Sequence, residues 1–138
     1  MPRILVVDDS STMRKIIMKG LKEAGLGELE FAEAGDGNEG LEALSKAAFD
    51  LVLSDVNMPN MNGIRFVKCV RDQTQLATTT VGDKELIKKI ANSIPIVMIT
   101  TEGGLEAVQE ALAAGANDYL NKPFTAEQLR EKLGPYLS

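Results

Sequence analysis

The chain has 138 residues, 44% of them apolar and 25% charged, with a formal net charge of −5. That is one domain with enough apolar residues to bury a real core, and it argues against disorder. No run reaches the length of a membrane span, and no basic stretch offers a stripe to nucleic-acid phosphates. A single cysteine, Cys69, rules out an internal disulfide, and the lack of any histidine excludes imidazole-dependent nucleophiles, the usual zinc sites and a phosphohistidine carrier. The opening Met1-Pro2-Arg3-Ile4 runs straight into a strand-like segment too short for a secretory signal, so a cytoplasmic protein is expected.

In chain order, strand-like and helix-like segments alternate. Ile4 to Val7 is all apolar and reads as a central strand. Asp8-Asp9-Ser10-Ser11 supplies helix-start chemistry, and Met13, Ile16, Ile17, Gly20, Leu21 and Ala24 recur at helical spacing until Gly25 and Gly27. Leu29 to Ala34 alternates apolar or small with acidic residues, as an edge strand with one wet face does. A helix is expected from about Asn38 to Ala47, burying Leu41, Leu44 and Ala48. Leu51-Val52-Leu53-Ser54-Asp55 is a buried strand ending in a lone carboxylate, followed by a proline turn at Pro59. Ile64, Val67 and Val70 mark a third helix.

From about Asp72 to Ser93 the pattern is less regular. Thr78 to Gly82 reads as loop and Asp83 to Ile90 as a short capped helix with Leu86, Ile87 and Ile90 on one side. Ile96 to Ile99 is a fourth strand, ending in Thr100-Thr101. Leu105, Val108, Ala111 and Leu112 give the next helix, closed by Gly115, and Asp118 to Asn121 is a short strand of mixed polarity running into Lys122-Pro123. Ala126, Leu129 and Leu133 mark the last helix, which Gly134-Pro135 is expected to break.

Five repeats of strand then helix predict an α/β fold: a doubly wound parallel sheet with right-handed crossovers and helices on both faces. The second and fifth strands have wet faces and belong at the edges. The flavodoxin-like order 2-1-3-4-5 satisfies this, and its switch point between the first and third strands brings Asp8, Asp9 and Asp55 to one crevice at the carboxyl ends of the strands.

Any one of these acids could be a helix cap or a turn residue. Three together repel in a partly desolvated cleft, and the arrangement makes sense with a cation among them. Mg2+ suits hard oxygen ligands and typically uses one or two carboxylates together with phosphate oxygens. Thr100 and Lys122, each at a strand end, add a hydroxyl and an ammonium to the rim. The set is one for phosphoryl chemistry, with Asp55 as carboxylate nucleophile.

The segments Leu5-Val6-Val7-Asp8-Asp9-Ser10-Ser11-Thr12-Met13-Arg14, Ser54-Asp55-Val56-Asn57-Met58-Pro59-Asn60-Met61-Asn62-Gly63 and Ala114-Gly115-Ala116-Asn117-Asp118-Tyr119-Leu120-Asn121-Lys122-Pro123-Phe124 carry a resemblance. Across nearly its whole length, the chain resembles the response-regulator receiver family, and within it the stand-alone chemotaxis regulators. The resemblance implies that Asp55 is the phospho-acceptor and that Asp8 and Asp9, with the Asn57 backbone carbonyl, bind Mg2+. It makes Thr100 and Tyr119 a switch pair that changes the face of the fourth helix, fifth strand and fifth helix. Lys122 would pair with the phosphoryl group through a cis bond to Pro123, and Asn57 and Glu102 would tune dephosphorylation. It further implies a sensor histidine kinase as phosphodonor, a downstream target such as a flagellar motor switch or a relay protein, and a monomer that is not a turnover enzyme. With no output domain, residues 1–138 would be a single receiver domain.

Two features depart from the family pattern. The 72–93 segment is longer than usual by roughly a dozen residues, is expected at the end of the sheet remote from Asp55, and would affect stability or partner choice unless it is a tolerated surface insertion. Asn62 stands where an acid is usual. Other functions fit less well. Gly35-Asp36-Gly37-Asn38-Glu39-Gly40 matches a dinucleotide fingerprint, but its acids would face the pyrophosphate. An FMN site would want an uncharged loop after the first strand. An Mg2+-dependent aspartate-nucleophile phosphatase would want a second acid where Ser10 stands. A receiver-like adaptor that works without phosphorylation would keep the fold.

Overall fold

The computed structural model describes residues 1–100 and 105–137. Five strands form one parallel sheet in the order β2-β1-β3-β4-β5: β1 Arg3–Val7, β2 Glu30–Ala34, β3 Leu51–Asp55, β4 Ile96–Thr100 and β5 Asp118–Asn121. Every residue of β4, and all but the first of β1 and the last of β3, is buried, whereas β2 and β5 are largely half-exposed. The wet faces thus mark the sheet edges.

Strand alternation splits the core in two. Leu5, Val7, Val52 and Met98 face one layer, with Leu41, Phe66, Val67 and Ala111. Ile4, Val6, Leu53, Val97 and Ile99 face the other, with Ile17, Leu21, Leu129 and Leu133. The second layer is made by α1 (Ser11–Glu23) and the C-terminal α7 (Ala126–Leu137), and the first by α2 (Gly37–Lys46), α3 (Gly63–Arg71) and α6 (Leu105–Ala114), joined by the short α4 (Gln73–Leu76) and α5 (Lys84–Ile90). Ser10, Asp36 and Asn62 cap α1, α2 and α3, each accepting a backbone N–H from three residues on. Asn62 fills the role an aspartate would.

The 72–93 segment is more than a surface loop. Leu76, Val81 and Ile87 join the core layer of α2 and α3, and α5 packs against both helices. At its end, Arg71 donates to the carbonyls of Ala91 and Gly115 and to Asn117 Oδ1, each at 3.0 Å. Asn117 in turn accepts from the Ile96 amide at 2.8 Å. This network lies where β4 begins, at the opposite end of that strand from Thr100.

Three local expectations change. Ala48 is exposed and lies outside α2, which stops at Lys46. Pro135 does not break the last helix: α7 runs through it to Leu137. A proline in the last turn removes one helical hydrogen bond, and Tyr136 and Leu137 recover stability by packing on the second core layer. On α6, Val108 and Ala111 are buried as the spacing requires, but Leu105 and Leu112 face outward.

Candidate functional site

Register explains the convergence of the acids. Val7 pairs with Ser54 and Asp55 with Ile99, so Asp8, one residue beyond β1, lies next to the end of β3. One carboxylate oxygen from each of Asp8, Asp9 and Asp55 falls within 4.8 Å of the others. Asp8 is buried, Asp55 half-buried and Asp9 exposed. Lys122, carried past the end of β5, places its Nζ 3.3 Å from Asp8 Oδ2 and 3.6 Å from Asp55 Oδ1. Its backbone amide donates to the Thr100 carbonyl at 2.7 Å, which ties the ends of β4 and β5 together. The Lys122–Pro123 peptide is cis.

Asp8 and Asp55 are each held by a nearby backbone amide. The Ser10 amide donates to Asp8 Oδ1 at 2.9 Å and the Val56 amide to Asp55 Oδ1 at 2.8 Å. Arg14 donates to the Asp8 carbonyl and to Glu33 Oε1, fastening the β1–α1 loop to β2. Gly63 opens α3 directly against β3: a Cβ there would lie 2.1 Å from the Asp55 carbonyl oxygen, so only glycine allows the approach. The Gly63 amide also donates to the Val56 carbonyl at 2.8 Å.

Burial pushes the Asp55 carboxyl up from the ordinary value, Lys122 opposes this, and the negative charges of Asp8 and Asp9 push it up again. Two carboxylates about 5 Å apart repel by roughly 3 kcal/mol at an effective dielectric near 20. Three carboxylates against one ammonium leave two uncompensated negative charges, the charge of one divalent cation. The donors are all hard oxygens, which fits Mg2+ and disfavours soft metals.

The sequence and the 2-1-3-4-5 sheet that carry this cluster are similar to those of known proteins. A family model described as the response regulator receiver domain matches residues 4–85 and 84–134. The chain belongs to this family. The receiver is 42% identical over 131 residues to chemotaxis protein CheY-3 of Vibrio cholerae, covering 95% of this chain and 88% of that protein. It is 44% identical over 132 residues to chemotaxis protein CheY1 of Helicobacter pylori, covering 95% and 93%. The structure of the chemotaxis response regulator CheY4 of Vibrio cholerae superposes with a TM-score of 0.73 at 40% identity, over 99% of this chain and 98% of that one.

In the receiver, the expected site residues fall into two groups. Asp8, Asp9, Asp55 and Lys122 meet in one cluster, and Thr100 is buried at the end of β4, beside β3. Asn57 lies on the exposed loop after β3. Tyr119 stands apart on β5, where its ring packs against the first core layer and Lys132 Nζ lies 5.1 Å over its centroid. Lys132 also pairs with Asp118 at 3.0 Å. Glu102 lies outside the described residues. Arg14 and Gly63 bear on the geometry without having been singled out; only the strand-to-helix spacing of Gly63 hints at its close approach.

Proposed function

We propose that the receiver is a phosphorylation-activated switch of a two-component pathway, with Asp55 as the phosphoryl acceptor and a histidine kinase's phosphohistidine as donor. The observation that carries the reading is the Asp8–Asp9–Asp55 cluster with Lys122 across it. Asp55 attacks phosphorus, the P–N bond of the donor breaks, and the imidazole leaves with a proton from solvent, giving an acyl phosphate on Asp55. Water later attacks the phosphorus and returns the carboxylate. Bound Mg2+, held by Asp8, Asp9, Asp55 and the Asn57 carbonyl, would offset charge on the phosphoryl oxygens. Lys122 supplies an ammonium to another of those oxygens and Thr100 a hydroxyl.

The signal leaves through protein contact. Thr100 and Tyr119 form the switch pair, with Asn57 and Glu102 tuning the lifetime of the phosphoryl group. The output face comprises α6, β5 and α7, where Leu105 is 65% exposed and Leu112 39%. The chemotaxis names of the relatives support a chemotaxis pathway, and in this reading the receiver works in the cytoplasm on a flagellar motor switch or a relay protein. Among the described residues no helix is long and apolar enough to cross a membrane. The chain acts as a monomer and turns over no substrate other than its own phosphoryl group.

Intact mass after incubation with acetyl phosphate, with and without Mg2+, tests this on wild type and Asp55→Asn. The reading requires an Mg2+-dependent gain of one phosphoryl group in wild type alone. A gain that persists in Asp55→Asn would move the acceptor elsewhere, and no gain in wild type alongside unspent donor would make the chain an adaptor.

A further inference from the structure

The loop joining β3 to α3 carries Asn57, whose carbonyl belongs to the proposed cation site, and it is fastened on its far side to the start of α2. Met61 is buried, and its carbonyl accepts from the Gly37 amide at 3.1 Å. A Cβ on Gly37 would fall 2.6 Å from the Met61 side chain, so α2 begins with the one residue that lets the loop lie on it. Between these contacts and Asn57 stands Asn60, with φ at +64°, a left-handed conformation that asparagine tolerates better than most residues.

The Asn60 side chain ends on a buried carboxylate. Its Nδ2 donates to Asp36 Oδ2 at 2.9 Å, while Asp36 Oδ1 accepts from the Glu39 amide at 2.9 Å and caps α2. Asp36 is only 7% exposed. One oxygen of a buried anion therefore holds a helix and the other holds a loop. A hydrogen bond to a buried charge is among the stronger single contacts available for selecting one conformer of a short loop.

We infer that Asp36 and Asn60 form a clamp that positions the β3–α3 loop, and with it the Asn57 carbonyl, for a divalent cation at Asp8, Asp9 and Asp55. The inference rests on the reading of that cluster as a cation-dependent phosphoryl acceptor. Asp36 and Asn60 are positioning residues: they act through the loop and belong to neither the carboxylate cluster nor its lysine.

Calorimetric titration of Mg2+ into metal-free protein tests the clamp. Asn60→Asp sets a carboxylate against that of Asp36 and breaks the contact. Charge alone would make this variant bind a cation more tightly, whereas loss of the clamp makes it bind more weakly, so the sign separates the two. The expected result is a loss of about tenfold in affinity, the usual scale for groups that orient a ligand. Asn60→Gly keeps the left-handed backbone without strain and deletes the bond, and it is expected to weaken binding similarly.

In the double variant Asp36→Asn/Asn60→Asp, donor and acceptor exchange places. The amide oxygen at 36 still caps α2, its NH2 donates to the carboxylate at 60, and the net charge equals that of wild type. Affinity should return to within about twofold of wild type, which loss of structure could not produce. Unchanged or tighter binding in Asn60→Asp, or a double variant as weak as the single, overturns the clamp. If wild type takes up no Mg2+, the reading of the cluster falls and the clamp with it.

Discussion

The two ends of the sheet treat charge in opposite ways. Where β4 begins, the half-buried Arg71 guanidinium spends its donors on two carbonyls and an amide oxygen, ties α3 to the end of α5 and to the turn before β5, and meets no like charge among them. At the carboxyl ends of β1 and β3, three carboxylates crowd within 4.8 Å with one ammonium between two of them. The first arrangement is satisfied within the chain, whereas the second leaves two negative charges without a partner in the cluster. Stability is built at one end and left unfinished at the other, as is usual where a site is arranged to perturb its own ionisable groups.

The comparison is broken most severely by damaging the satisfied end. Ile87→Ala removes a fully buried side chain of α5 and should cost about 3 kcal/mol, or about 10 °C in Tm for a domain of this size. Thermal unfolding measures this, and Mg2+ affinity should stay within about twofold of wild type, since α5 lies in the 72–93 segment and supplies no ligand. Were the segment only a tolerated surface insertion, the loss would fall below about 1 kcal/mol.

A smaller loss follows from Arg71→Met, which keeps the stem and deletes the guanidinium. Leaving the acceptors at Ala91, Gly115 and Asn117 partly unpaired should cost about 2 kcal/mol in urea unfolding, with phosphorylation of Asp55 by acetyl phosphate unchanged. A variant that lost phosphorylation while remaining folded would show that the two ends are coupled.

The smallest effect is a change of slope with pH at the unfinished end. Burial holds the Asp55 carboxyl above the ordinary 3.8, Lys122 opposes that, and Asp8 and Asp9 reinforce it. The folded state thus keeps this proton more tightly than the unfolded state does. Its contribution to stability is present at low pH and lost as pH rises from about 3.8 through the higher folded value. In metal-free protein, the stability of wild type relative to Asp55→Asn should decline over that window, and parallel curves would remove the raised pKa from the account.

Much of the site was legible because it lies at strand ends. Apolar runs located the strands, their wet faces located the edges, and a parallel sheet then placed Asp8, Asp9, Asp55, Thr100 and Lys122 at one end. The satisfied end was not legible, because the partners of Arg71 lie 20 to 46 residues away in the chain and two of them are backbone carbonyls. The same holds for Asp36 and Asn60, 24 residues apart, the one standing in a segment that matched only an ill-fitting dinucleotide fingerprint and the other beside the proline turn. Pro135 misled because helix-breaking propensity took no account of Tyr136 and Leu137 packing beyond it. Leu105 and Leu112 keep helical spacing but face outward, and periodicity cannot distinguish a core stripe from an exposed one.

The central claim, that the carboxylate cluster is completed by a divalent cation, is tested most directly by urea unfolding of wild type and Asp55→Asn at pH 7, without Mg2+ and at saturating Mg2+. Without the cation, Asp55→Asn should be the more stable by about 1 kcal/mol, because it removes one of three repelling charges. With Mg2+ the order should reverse, since wild type gains about 2.7 kcal/mol at a hundredfold excess over its dissociation constant and the variant gains less. The same order of stability with and without Mg2+ would contradict the account.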